Sequence, residues 1–243
     1  MLRNIDTQKL NTLMEQNEDA RQIINQLLEN HQTLTSTISH EIRNPLTLIS
    51  SSLQLIQAQH PEVKQFYGWE QAMEDVDFMR RLLDELSSFN NGNRLRLSVF
   101  SIEQLLKSIA VSFAISLNEQ NSAIEFSSRI PSDLGDITGD RLKLEEVILN
   151  LLRNARDAIN GQGTIQLFAK RCADTIHIRI KDTGCGIPAE HLESIFEPFQ
   201  TYKPDGTGLG LALSRQIITA HKGNISVFSK EGEGSTFTVT IPA

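Results

Sequence analysis

His40, Glu41 and Asn44 stand in the run His40-Glu41-Ile42-Arg43-Asn44-Pro45-Leu46, inside a long stretch of helical apolar spacing. At that spacing Asn44 falls one helical turn beyond His40, on the same face. A histidine buried in a core has no need of an adjacent acid and polar surroundings. A histidine that must take and give up a phosphoryl group does. If the chain also supplies an ATP site, this segment carries its function.

Three later segments could build that site. Between Arg141 and Ile159 an otherwise apolar helical pattern carries Glu146, Asn150, Asn154 and Asp157 at i, i+4, i+8 and i+11, hence on one face. Two asparagines about 6 Å apart along a helix can set amide oxygens on a hard cation and amide N–H groups on phosphates. Mg²⁺ suits such a site, since it takes few protein ligands and completes its shell with phosphate oxygens. The same stripe could simply face solvent. Asp182-Thr183-Gly184-Cys185-Gly186 leaves a strand and turns sharply, so that Asp182 could accept from an exocyclic amine such as adenine N6. Asp-Thr-Gly is also an ordinary turn sequence. Gly206-Thr207-Gly208-Leu209-Gly210-Leu211 opens a helix, where backbone N–H groups can cradle phosphate. No strand leads directly into it and no βαβ unit surrounds it, so it is not the dinucleotide fingerprint. Lys203 could bridge to a β- or γ-phosphate as a point charge, or be a solvated loop lysine.

The elements that must position these residues fall into two textures. Leu10, Leu13, Ala20, Ile24, Leu27, Leu34 and Ile38 trace a heptad seam, the pattern of a coiled coil, with Asn17 and His31 as polar seam residues that fix register. Pro61 breaks the helix. A second helical pattern runs through Phe66, Trp69, Met73, Val76, Leu83 and Leu86 to a stop near Asn90-Asn91-Gly92. A two-helix hairpin is too thin to bury both seams, so two copies forming a four-helix bundle, a homodimer, are implied. After Gly92, β-like runs (94–100, 123–130, 164–170, 175–181, 224–228, 235–241) alternate with helical ones (101–118, 141–159, 209–221). The fold class is multidomain: an all-α helical hairpin in a dimeric four-helix bundle, then an α/β sandwich with helices on one face of a mixed sheet. The expected divisions are 1–25 (signalling helix), 26–92 (dimerisation) and 93–243 (nucleotide).

Bulk composition narrows the partners. The net charge of −7 with no basic block argues against nucleic acid. No apolar run approaches the roughly 20 residues that span a bilayer. Cys172 and Cys185 cannot make a disulfide framework, which fits a reduced, cytoplasmic compartment. The sequence reads as a cytosolic protein or a cytosolic portion of one.

In their order along the chain, the His40 segment, the asparagine helix, the Asp-x-Gly-x-Gly turn, Phe196-Glu197-Pro198-Phe199 and the Gly-x-Gly-x-Gly helix start resemble a two-component sensor histidine kinase. The resemblance spans about residues 25–243. It implies a dimerisation and histidine-phosphotransfer hairpin, followed by the ATP-binding domain shared with gyrase, the heat-shock-90 chaperones and mismatch-repair ATPases. By the resemblance His40 is the phosphoacceptor and Glu41 the acid that polarises its ring and takes its proton. Asn44 orients the water that dephosphorylates a partner response-regulator receiver domain, and Pro45 bends the helix at the reactive position. Asn154 is the Mg²⁺ ligand, with Asn150 its phosphate-side companion. Asp182 accepts the adenine amine, on the turn made by Gly184 and Gly186. Phe196 and Phe199 anchor a lid, and Gly206, Thr207, Gly208, Leu209 and Gly210 form its end and the following helix start.

Two departures stand out. Some family members carry a basic residue where this chain has Asp157, and an acid there would repel phosphate unless Mg²⁺ or an arginine, Arg153 being near, compensates. The lid, Gln200 to Asp205, is short, with Lys203 its evident cation. The Asn-x-x-Asp-Ala variant and Thr-Tyr-Lys lid resemble the nitrogen-regulation and oxygen-sensing type of the family. A non-catalytic ATP-binding scaffold is an alternative that the intact asparagine, aspartate and glycine elements oppose. An ATPase or serine kinase of the same nucleotide-binding class is opposed by the His-Glu-x-x-Asn hairpin. No sensor domain is evident, and input is expected through the first 25 or so residues as a helix rotation or register shift.

Overall fold

The computed structural model describes residues 17–119, 123–203 and 206–243. Leu10 and Leu13 of the expected seam, and Pro204 and Asp205 of the short loop, lie outside them, as does the side chain of His31. The chain divides into two compact units between Asn91 and Gly92.

In the first unit, helix α1 runs Glu18–Gln59 and α2 runs Trp69–Asn90, joined through a 3₁₀ turn at Pro61–Gln65. Asn17, expected on the seam inside a longer helix, is instead the N-cap of α1: its side chain accepts from the Ala20 amide at 3.0 Å. An asparagine oxygen there satisfies an amide that has no carbonyl one turn back, and Glu18 and Asp19 complement the helix dipole. α1 continues through Pro45, which cannot donate to the Glu41 carbonyl four residues earlier. The second helix begins three residues later than Phe66 suggested. Pro61 starts the 3₁₀ turn, and Gly68 caps α2 in a left-handed conformation. The indole N–H of Trp69 donates to Gln57 Oε1 at 3.1 Å, tying the start of α2 to the end of α1. Among the described residues, Leu46, Val76 and Leu83 form a buried cluster between the helices, with Leu53 partly covered.

The second unit is a five-stranded sheet in the order β2-β4-β5-β7-β6. Its strands are β2 (Ile124–Arg129), β4 (Gly163–Cys172), β5 (Thr175–Asp182), β6 (Asn224–Lys230) and β7 (Gly234–Pro242). β2 and β4 are parallel and the remaining pairs antiparallel. A separate antiparallel pair joins β1 (Ser98–Ser101) to β3 (Asp136–Gly139). β3 was not expected. It has four residues, and Ile137 is its one large apolar side chain, too little for a periodic signal. Helices α3 (Ile102–Glu119), α4 (Arg141–Asp157) and α5 (Gly210–Ala220) lie side by side against the sheet, α4 in the middle. In β5, Ile176, Ile178, Ile180 and Asp182 are buried while Arg179 and Lys181 are exposed. Period-two alternation therefore carries Asp182 into the last core-facing place of the strand.

Candidate active site

α4 is anchored at its start by Asp140, whose two carboxylate oxygens accept from the Lys143 amide (3.2 Å) and the Arg96 amide (2.7 Å). Leu144, Val147, Ile148, Leu151, Leu152 and Ala155 bury one side of the helix. The opposite stripe, Glu146, Asn150, Asn154 and Asp157, stays accessible to different degrees. The ammonium of Lys203 donates to Asn154 Oδ1 at 3.0 Å and to Asp157 Oδ2 at 3.2 Å. Arg156 holds the other oxygen of Asp157, its Nη2 at 2.9 Å. Among the described residues, the cations on Asp157 are thus Arg156 and Lys203, where Arg153 had been expected. Burial pushes the Asp157 carboxyl up, but Lys203 and Arg156 together hold it below the ordinary 3.8.

Asn150 is turned to a different use. Its amide donates to Ser214 Oγ at 2.9 Å, and Ser214 in turn donates to the Gly210 carbonyl at 2.9 Å. A Cβ on Gly210 would lie 2.6 Å from Asn150 Oδ1. Asn150 therefore fixes where α5 begins, and with it the amides of the glycine-rich helix start.

Asp182 is 2% exposed. Its Oδ1 accepts from the Gly184 amide at 2.8 Å and the Ser235 amide at 3.2 Å, which orients the carboxyl and leaves Oδ2 for a ligand. Burial raises its pKa above 3.8, opposed by those two amides and by the charge of Lys203. The turn that follows has no room for side chains. Gly186 sits at φ +69°, and a Cβ there would lie 2.0 Å from the Lys230 carbonyl oxygen; at Gly184 it would lie 2.5 Å from the Ala158 carbonyl oxygen.

The short loop is closed at its base by the Phe199 amide donating to the Gly208 carbonyl at 2.9 Å. Gly208, at φ +70°, has the Phe199 carbonyl carbon 2.6 Å from where a Cβ would be; only glycine meets both demands. Thr207 Oγ1 accepts from the Leu209 amide at 3.3 Å. Leu209 is fully buried and pins the start of α5. The Gly206 amide donates to the Lys203 carbonyl at 3.2 Å. Phe196 packs edge-on to Phe237, with the Arg215 guanidinium over its ring. Phe199, expected to share that anchoring, is 60% exposed and contributes through its backbone.

Three positions escaped sequence reasoning, and a fourth, Tyr202, was read only as part of the Thr-Tyr-Lys lid. Ser235 and Gly234 meet Asp182 from 53 and 52 residues away, through strand pairing that leaves no local signal. Tyr202 stacks on His191, ring centroids 3.7 Å apart, and shares a hydrogen bond with Ser194. Ser214 was legible only as the residue one turn after Gly210.

His40, Glu41 and Asn44 stand in the first unit, exposed on α1. His40 Nδ1 lies 3.2 Å from Arg43 Nη1, and Arg43 also binds Asp84 of α2. The remaining site positions stand in the second unit. There the donor set fits a hard cation with phosphate ligands. Asn154 Oδ1 already holds a cationic head group, and among the described residues no cluster of His, Cys, Asp or Glu could hold a metal by itself.

Two family profiles match the chain. The phospho-acceptor profile, "His Kinase A (phospho-acceptor) domain", covers residues 30–92. The profile "Histidine kinase-, DNA gyrase B-, and HSP90-like ATPase" covers residues 139–243. The signal transduction histidine-protein kinase AtoS of Escherichia coli (strain K12) is 35% identical over 210 residues, 86% of this chain and 34% of that protein. Sporulation kinase C of Bacillus subtilis (strain 168) is 30% identical over 209 residues, 86% of this chain and 48% of that one. The crystal structure of full-length ShkA in complex with AMPPNP is similar at a TM-score of 0.71 and 26% identity, over 86% of this chain and 45% of that one. The chain therefore spans about a third to a half of the length of these relatives.

Proposed function

The chain belongs to the sensor histidine kinases of two-component signalling, joining their phospho-acceptor domain to their ATPase domain, and on that premise we propose that it autophosphorylates on His40 with ATP and passes the phosphoryl group to an aspartate of a response regulator. One observation carries this reading. A single chain holds an accessible His40 with Glu41 beside it, and also a buried carboxylate, Asp182, oriented by two backbone amides at the end of a strand.

In the proposed reaction a ring nitrogen of His40 forms a bond to the γ-phosphorus. The bond from that phosphorus to the ADP oxygen breaks, and the proton on the other nitrogen goes to Glu41. Asp182 accepts the adenine amine with Oδ2. The backbone from Gly206 through Thr207, Gly208 and Leu209 to Gly210 receives phosphate oxygens, at a position that Asn150 and Ser214 hold. Asn154 is the proposed protein ligand for Mg²⁺, which supplies charge neutralisation on the phosphates when bound. Lys203 would then be free to meet a phosphate.

Three further properties belong to the same reading. Asn44, exposed one turn from His40, would orient water for dephosphorylation of the response regulator. The protein would work as a homodimer, with input delivered through the 1–25 segment. A cytoplasmic setting fits the ATP requirement and two cysteines outside any disulfide.

Labelling tests the reading. With γ-labelled ATP and Mg²⁺, the protein should take up label that is acid-labile and alkali-stable, as phosphohistidine is. His40→Ala should abolish it, and Asn154→Ala should lose it while keeping the oligomeric state. Equal label on His40→Ala, or acid-stable label as in phosphoserine, would falsify the proposal.

A further inference from the structure

Arg43 joins two groups, His40 and Asp84, that the proposed reaction does not otherwise connect. Its Nη1 lies 3.2 Å from His40 Nδ1. Its Nε and Nη2 lie 3.1 and 2.9 Å from the same oxygen of Asp84, across the hairpin on α2. We propose that Arg43, held by Asp84, is a positioning residue that keeps His40 in a resting tautomer in which neither ring nitrogen can attack.

The chemistry follows from what each group can do. A guanidinium is always protonated and has only N–H donors, no lone pair to offer. The ring nitrogen facing it must therefore be the acceptor, so Nδ1 carries no proton. In the neutral ring the proton is then on Nε2, which has no lone pair available for phosphorus. The lone pair of Nδ1 is engaged by Arg43. For Nε2 to attack, the proton must move to Nδ1, where Glu41 can take it. Arg43 must first withdraw from Nδ1.

Asp84 decides how readily that happens. It lies on the other helix, so a small displacement of α1 against α2 changes whether Arg43 can reach His40 and Asp84 together. A shift within the hairpin would thus be read directly as a change in the nucleophile. The pair is partly open to solvent, Arg43 at 25% and Asp84 at 60% side-chain exposure. It is therefore a weak hold, one that biases a population and leaves phosphorylation possible.

This inference rests on the kinase reading above, and the experiment separates the two. Imidazole ¹⁵N NMR on the full chain, with His40 assigned by comparison with His40→Gln, reads the tautomer fraction directly. Wild type should show a smaller Nδ1–H fraction than Arg43→Met or Asp84→Asn. The initial rate of labelling from γ-labelled ATP should rise in Asp84→Asn by about two- to fivefold, the bias that an exposed ion pair can hold. Equal tautomer fractions in the three proteins, or equal initial rates in wild type and Asp84→Asn, overturn the proposal. No label in any of them overturns the kinase reading instead, and the tautomer fractions still decide whether Arg43 holds the ring.

Discussion

In the proposed site Asp182 would accept the nucleobase amine as a carboxylate: the Gly184 and Ser235 amides occupy Oδ1, so a bound proton would sit on Oδ2, where the amine N–H must donate. Burial raises its pKa above 3.8 and only partly yields to the Gly184 and Ser235 amides and to Lys203. ATP affinity should therefore weaken as the pH falls, and from a higher pH than for an ordinary aspartate. Asp182→Asn should bind ATP about ten- to hundredfold more weakly at neutral pH, the worth of a hydrogen bond to a charged group, and lose that pH dependence. Calorimetric titration across acidic pH measures both. Asp157 works in the opposite sense. Its lowered pKa means that its ion pairs stabilise the fold above pH 3.8, a contribution lost as the pH falls through the folded value. In Lys203→Ala the Asp157 carboxyl should titrate higher, as read by carboxyl ¹³C NMR. An unchanged midpoint would leave Arg156 as the only cation that matters there. At this scale a sequence shows residue types and not their partners. The Asp-x-Gly-x-Gly turn was legible, while Ser235 was not, because the pairing of β5 with β7 sets its place beside Asp182. Lys203 was read as a phosphate ligand or a solvated loop lysine, and it lies on Asn154 and Asp157.

At the scale of elements, the crossing of α4 and α5 does the positioning. Asn150, Ser214 and Gly210 form a chain of hydrogen bonds from one helix to the first turn of the other. Ser214→Ala would leave the Asn150 amide without this acceptor, at a cost of about 1–3 kcal/mol. A lower melting temperature and weaker nucleotide binding should appear together in that variant. A loss of stability with nucleotide affinity intact would mean that the α5 start does not depend on Asn150. Long periodic elements were legible in the sequence: α3, α4 and α5 fall within two residues of where periodicity placed them. The failures have local causes. β3 is too short to show a period, and β1 begins at Ser98 because strands end where their partner does, four residues from Asp136 to Gly139. Asn17 suits a cap as well as a polar seam position, and only the helix start decides between them.

For the whole molecule, the change of period at Gly92 announced two units, a helical hairpin and an α/β sheet, and the structure has both. The hairpin poses the question of assembly. Leu46, Val76 and Leu83 bury little between its two helices, whereas Ile42, Ile49 and Ile56 are 48%, 49% and 41% exposed at seven-residue intervals on α1. A heptad stripe left open on one copy is what a second copy would cover. Stable interfaces bury about 1,200–2,000 Å² in total, and a stripe along helices of this length can supply it. Replacing both Ile42 and Ile49 with Glu puts like charges on that stripe in each copy. The variant should sediment as a monomer while wild type sediments as a dimer. The α/β unit has its own core and its own nucleotide elements, so ATP binding should survive in the monomer with the affinity of wild type. A variant that remains dimeric would show that other surfaces hold the copies together. A monomer that no longer binds nucleotide would show that assembly acts on the ATP site.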